Sequence, residues 1–151
     1  MARMDLGTAA PEPYKAIVQA DGAIRIGPLD ATVRELVKIR ASQLNGCVYC
    51  VDMHTREARR LGESQDRLDQ LPVWEESELF GGRERAALAY TDAVTRGQRV
   101  DDDLWRELCE HFPDEAERGH LVLQVALINA LNRLGVPLEM KPAPRTGAAA
   151  R

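Results

Sequence analysis

The sequence predicts an all-α fold in a single domain that assembles as an oligomer. Three observations carry the fold class and the domain count, and the apolar last helix carries the oligomer. Strand signals are nearly absent: no stretch alternates apolar and polar residues with β-branched or aromatic enrichment. Ala, Leu, Arg and Glu dominate, and apolar residues recur at three- and four-residue spacing. The 151 residues, 44% hydrophobic and 29% charged, fit one domain and are too apolar for a disordered chain.

The elements follow in order. Pro13 to Ala20 reads as a short first helix with Tyr14, Ile17 and Val18 on one face, closed by a turn at Asp21-Gly22. Leu29-Asp30-Ala31-Thr32 opens a second helix carrying Val33, Leu36, Val37, Ile39 and Leu44 to a stop at Asn45-Gly46. A third runs from about Cys47 to Leu61, ending at Gly62. Ser64 caps a short helix reaching Leu71. Residues 72–82, with Trp74 and Phe80, read as a loop. Glu84 to Arg96 is helical, with Ala87, Leu88, Tyr90, Thr91 and Val94 as core candidates. Asp101 caps a helix with Leu104, Trp105, Leu108, Cys109 and Phe112 at core spacing, so Cys109 is expected as a buried small hydrophobe. Pro113-Asp114 starts the last helix, apolar almost all round from Leu121 to Leu134. Such a helix is either central to the core or shared with another subunit. The expected organisation is an extension at 1–11, a domain at 12–140 and a mobile tail at 141–151.

Composition excludes several classes. A net charge of −4 leaves no footprint for nucleic acid, and acids interrupt the basic residues throughout. The Leu121–Leu134 run is too short to span a bilayer, and the amino terminus lacks a signal-peptide core. A cytoplasmic address is expected. Three cysteines do not make a disulfide framework, yet two stand as Cys47-Val48-Tyr49-Cys50.

Glu35 precedes Cys47 by eleven intervening residues, and His54 follows Cys50 by three. At about 100° per helical residue, Cys50 lies roughly 60° from Cys47, and His54 roughly 40° from Cys50. Both thiols and the imidazole therefore share one helix face, and the Asn-Gly turn lets the helix of Glu35 fold back beside them. This set suits thiol redox chemistry. A thiol of ordinary pKa is only about 3% thiolate at neutral pH, and a helix N-terminus and an imidazole both favour the thiolate. Glu35 fits as a proton relay with His54. The second cysteine can trap a sulfenic acid as a disulfide.

The segment ELVKIRASQLNGCVYCVDMHTREARRLG, with GRERAALAYTDAVT and LINALNRLGVPL, resembles the alkylhydroperoxidase D-like branch of the carboxymuconolactone decarboxylase superfamily. The resemblance covers roughly residues 12–140. It implies an all-α subunit assembled as a trimer or hexamer. It also implies Cys50 as the peroxidatic cysteine, Cys47 as the resolving one, and Glu35 and His54 as the relay, with no cofactor and no metal. The implied partners are a hydroperoxide substrate and an external dithiol, carried by a lipoyl or thioredoxin-like protein. Tyr49 stands where peroxidase members carry an extra His inside the motif. The decarboxylase branch generally lacks the Cys-x-x-Cys, so lactone decarboxylation is not expected. In thioredoxin-like helices the first cysteine is the nucleophile, which points to Cys47 instead. Two other functions stay open: a general thiol-disulfide oxidoreductase, and a non-catalytic redox-sensing or metal-binding oligomer.

Simpler readings stand beside these. Thr32-x-x-Glu35 also fits a capping box, and a cap at Asp30 would release Glu35 from it. Two cysteines with His54 and Glu35 could bind zinc, but no second ligand pair follows. Asn129 and Asn132 read as interhelical hydrogen-bonders, His111 and His120 as surface or interface residues.

Overall fold

Every described element is helical. The computed structural model of the chain describes residues 2–143, so the expected tail lies outside the described residues from 144 onward. The order is α1 (Leu6–Ala9), α2 (Pro11–Arg25), α3 (Ala31–Asn45), α4 (Val48–Arg60), α5 (Gln65–Gln70), a 3-10 segment (Leu71–Glu76), α6 (Gly82–Thr95), α7 (Asp102–His111) and α8 (Glu115–Gly135). Among the described residues there is no strand, and no helix is long and apolar enough to cross a membrane.

Local chemistry sets the boundaries. Asp30, Ser64, Asp101 and Asp114 each accept a backbone N–H with the side chain at a helix start. Gly46 ends α3 in the left-handed region, at φ 72°, where a residue with a Cβ is strained. The chain then reverses directly into α4.

Two expectations are corrected. The first long helix does not stop at Ala20 but continues through Asp21-Gly22 to Arg25. Tertiary contacts override the local turn signal: Asp21 pairs with Lys38 on α3 and accepts from Gln124 on α8, while Ile24 is buried one turn later. The expected loop at 72–82 is wound in its first part into a 3-10 segment, Leu71–Glu76, which buries Trp74, and Phe80 is buried just beyond it.

α3 is the centre of the molecule, packed by α4, α6 and α8. One apolar cluster joins Val33 and Val37 to Leu108, Phe112, Leu121 and Val125. The other joins Leu36 and Ile39 to Ala58, Leu71, Trp74 and Leu88. All ten residues Val33–Ser42 are buried, four of them charged. Such charges are tolerated only when paired. Arg40 meets both carboxylate oxygens of Asp92 at 2.7 and 2.6 Å and also donates to the Pro72 carbonyl. Asn132 donates to Ser42 Oγ, and Asn45 donates to Asn129 and Asn132, joining α3 to α8 as expected of the two asparagines.

Trp105 is 42% exposed and Cys109 only half-buried, against the core positions expected for them. α7 buries little beyond Leu108, with Phe112 just past its end, because one face alone meets α6. α8 is two-faced. Leu121, Val125 and Ile128 are buried, whereas Leu123 is 58% exposed beside Ala126 and Ala130.

Replacing Asp92 with Ala leaves the Arg40 guanidinium buried and unpaired. The expected loss of stability is about 3–5 kcal/mol, measured by urea denaturation of the two proteins side by side.

Candidate active site

The Asn45-Gly46 reversal sets the second half of α3 against the first half of α4. Cys47 is the N-cap of α4, with an extended backbone, and its sulfur accepts from the Cys50 N–H at 3.3 Å. Cys47 and Cys50 are joined as a disulfide, with their Cα atoms 5.3 Å apart. Both are buried, at 2% and 4% exposure. His54 lies one turn beyond Cys50 and is buried as well.

Glu35 meets that turn from α3. Asp30 provides the helix cap, so the Glu35 carboxylate is free of the capping box and points into the core. Its Oε1 accepts from Arg34 Nε at 3.2 Å and from Lys38 Nζ at 3.4 Å. Its Oε2 lies 3.0 Å from His54 Nδ1. Burial opposes ionisation of Glu35, but the His54 hydrogen bond and the charges of Lys38, His54 and Arg34 outweigh it. They hold its pKa down at about 2. An ionised carboxylate only accepts, so Nδ1 carries the hydrogen and Nε2 is left to take a proton. Nε2 is buried and has no hydrogen-bond partner among the described residues.

All four residues expected from the sequence therefore come together. Four others join them that sequence reasoning did not single out. Lys38 and Arg34 hold Oε1, and Lys38 Nζ also reaches Asp21 at 3.3 Å. The spacing of Lys38, three residues past Glu35 on one helix, was the available signal. Asp21 was hidden by its resemblance to a turn residue. Gly135, at the end of α8, lies against the sulfurs. A Cβ there would stand 2.9 Å from Cys47 Sγ and 3.7 Å from Cys50 Sγ.

A cavity of about 240 Å³ opens beside the disulfide. Cys50, His54, Tyr49 and Met53 of α4 form one wall; Cys47 does not reach it. Tyr49, which stands where peroxidase members carry an extra His, therefore lines the cavity. Among the described residues, no group of three or more His, Cys, Asp or Glu side chains is arranged to hold a metal ion.

Comparison with known proteins places this arrangement in context. The sequence model of the carboxymuconolactone decarboxylase family matches residues 11–93. The uncharacterized protein YdfG of Bacillus subtilis is 36% identical over 138 residues, covering 90% of this chain and 93% of that protein. Among solved structures, a protein of unknown function from Agrobacterium tumefaciens, named for the antioxidant defence protein AhpD, superposes with a TM-score of 0.91 at 32% identity. That match covers 96% of this chain and all of the other. The debrominase Bmp8 bound to 2,3,4-tribromopyrrole shares the fold, with a TM-score of 0.80 at 18% identity over 90% of this chain and 73% of that one.

The Glu35 pKa has a consequence for acid stability. Its folded value lies below the ordinary carboxylate value of 4.5, so its contribution is present above about pH 4.5 and is lost as pH falls toward about 2. In urea denaturation across that window, wild type is expected to lose stability more steeply than Glu35→Gln, which has no carboxylate to protonate there.

Proposed function

The chain belongs to the carboxymuconolactone decarboxylase family, and from that premise we propose that it is a thiol-dependent peroxidase that reduces alkyl hydroperoxides. One observation carries the reading. Cys50, and not Cys47, borders the cavity, one helical turn before a histidine whose Nε2 is unpartnered. That asymmetry supports Cys50 as the peroxidatic cysteine and Cys47 as the resolving one, as the family resemblance implies.

In the dithiol form, His54 Nε2 takes the proton of the Cys50 thiol. Glu35, ionised throughout the working pH range, orients the ring through Nδ1 and compensates the charge that the proton adds. Glu35 and His54 thus act as the proton relay that the family resemblance implies, with Glu35 holding the ring in place. The thiolate attacks the terminal peroxide oxygen: an S–O bond forms, the O–O bond breaks, and the leaving alkoxide takes the proton back from His54 as an alcohol. Cys47 then attacks the Cys50 sulfenic acid; the S–S bond forms, and the hydroxyl leaves as water with the Cys47 proton. An external dithiol returns two electrons and two protons.

Burial of both sulfurs argues against a general reductase of protein disulfides, since a protein surface cannot reach them. It favours a reductant presented on a slender arm, such as a lipoyl group, over a thioredoxin-like surface cysteine. A cytoplasmic setting would supply such dithiols.

We also propose that a second copy of the chain covers the outer face of α8, forming the trimer or hexamer that the family resemblance implies. Leu123, Ala126 and Leu127 line an open groove there with Ala20, Ala23 and Ile24 of α2, and its walls are almost entirely apolar. Exposed apolar patches of this kind mark interfaces.

A dithiol-coupled assay with organic hydroperoxides tests the chemistry. Cys50→Ser is expected to abolish turnover, and His54→Asn to lower kcat/KM by about 10²–10⁴-fold. Cys47→Ser is expected to accumulate a sulfenic acid that dimedone labels at position 50. Retention of label only in Cys50→Ser would reverse the two cysteine roles. For the assembly, Leu127→Asp is expected to lower the sedimenting mass, and an unchanged mass would remove that interface.

A further inference from the structure

The roof of the cavity comes from the two ends of the described chain. Leu6 of α1, Tyr14 of α2 and Met140, five residues beyond α8, line it together. The ends are clasped together. The Arg3 N–H donates to the Leu138 carbonyl at 2.9 Å, Arg3 Nη1 donates to the Pro137 carbonyl at 3.1 Å, and Arg3 pairs with Glu139 at 2.6 Å. Residues 2–9 therefore form a strap held over the sulfur site by residues 137–139.

The space under this strap is small and apolar. Ile128, Leu131 and Leu134 of α8 form its floor. Its one carboxylate, Asp21, is already engaged by Lys38 and Gln124 and offers little to a charged ligand. An apolar cavity of roughly 150 Å³ accommodates benzene. At about 240 Å³ this one holds an aromatic ring with a few further heavy atoms. A long acyl chain exceeds that volume and has to pass Leu6, Tyr14 and Met140, which the cavity shares with a second pocket lined by residues 2–5. Hydrogen peroxide leaves most of the apolar wall unused, so it gains little from burial.

We propose that the strap of residues 2–9, through Leu6, determines specificity, and that the site selects compact, neutral hydroperoxides of aryl or branched-alkyl type over both long-chain lipid hydroperoxides and hydrogen peroxide. The inference rests on the peroxidase reading above, and sharpens it from reaction type to substrate class.

The test compares wild type, a variant lacking residues 2–9, and Leu6→Ala, which is less exposed to folding defects. Each is assayed with cumene hydroperoxide, linoleic acid hydroperoxide and hydrogen peroxide under dithiothreitol coupling. Wild type is expected to favour cumene hydroperoxide in kcat/KM by at least about tenfold over both others. In the truncated protein the preference for cumene hydroperoxide over the other two falls about tenfold, chiefly through lost kcat/KM on cumene hydroperoxide; Leu6→Ala moves the same way by less. Equal use of the long-chain hydroperoxide by wild type, or equal loss on all three substrates in both variants, overturns the proposal. A second measurement does not need peroxidase activity. In the reduced protein, 2-phenyl-2-propanol (the alcohol formed from cumene hydroperoxide) is expected to slow iodoacetamide labelling of Cys50 in wild type and not in the truncated form. If no peroxide is turned over, the peroxidase reading falls, and absence of protection by the alcohol then overturns the cavity assignment as well.

Discussion

The site depends on the burial of charge along α3. Arg34, Glu35, Lys38 and Arg40 are each less than 7% exposed, on a helix enclosed by α4, α6 and α8. Removing such groups from water costs several kcal/mol apiece unless geometry returns it. The rest of the fold supplies that geometry. Asp92 of α6 and the Pro72 carbonyl neutralise and bind Arg40; Asp21 of α2 engages Lys38; Arg34 and Lys38 together hold one oxygen of Glu35. Only the other oxygen is left for His54. The orientation of the imidazole is thus the last link of a chain of charge compensation that runs from Asp21 of α2 through Lys38 and Glu35 of α3 to His54 of α4.

Much of this was legible before any coordinates. Caps and glycines located the ends of α3, α4, α5 and α7 closely, because Asp30, Gly46, Ser64 and Asp101 satisfy backbone groups by local rules. The spacing of Glu35, Cys47, Cys50 and His54 indicated a shared face, and the structure gathers them. What was not legible is what depends on distant partners. Asp21-Gly22 has the composition of a turn, and only its contacts with Lys38 and Gln124 keep it helical. The charged residues of α3 look like a solvated face, since no local pattern reveals Asp92 opposite Arg40. Cys109 and Trp105 have core spacing on a helix with little to pack against. The cavity roof of Leu6, Tyr14 and Met140 has no sequence signature, because it joins residues more than a hundred positions apart.

The two cysteines are chemically alike and structurally distinct. Cys47 caps α4, does not line the cavity and lies close against Gly135; Cys50 lies one turn in and borders the open space. The helix offers its N-terminal field to both sulfurs, so field alone does not separate them. Access does. The tight approach of α8 at Gly135 leaves no room for a side chain beside Cys47.

Gly46 links this chemistry to handedness. Its backbone lies at φ 72°, a conformation that disfavours any L-residue bearing a Cβ by roughly 1–2 kcal/mol. A carboxylate and an imidazole nineteen positions apart become neighbours because the helices on either side of that one residue turn back on each other. The chirality that makes every other residue of α3 and α4 wind to the right is set aside at a single achiral carbon. Proximity of the reacting groups is therefore a stereochemical property of the turn as much as an electrostatic property of the side chains.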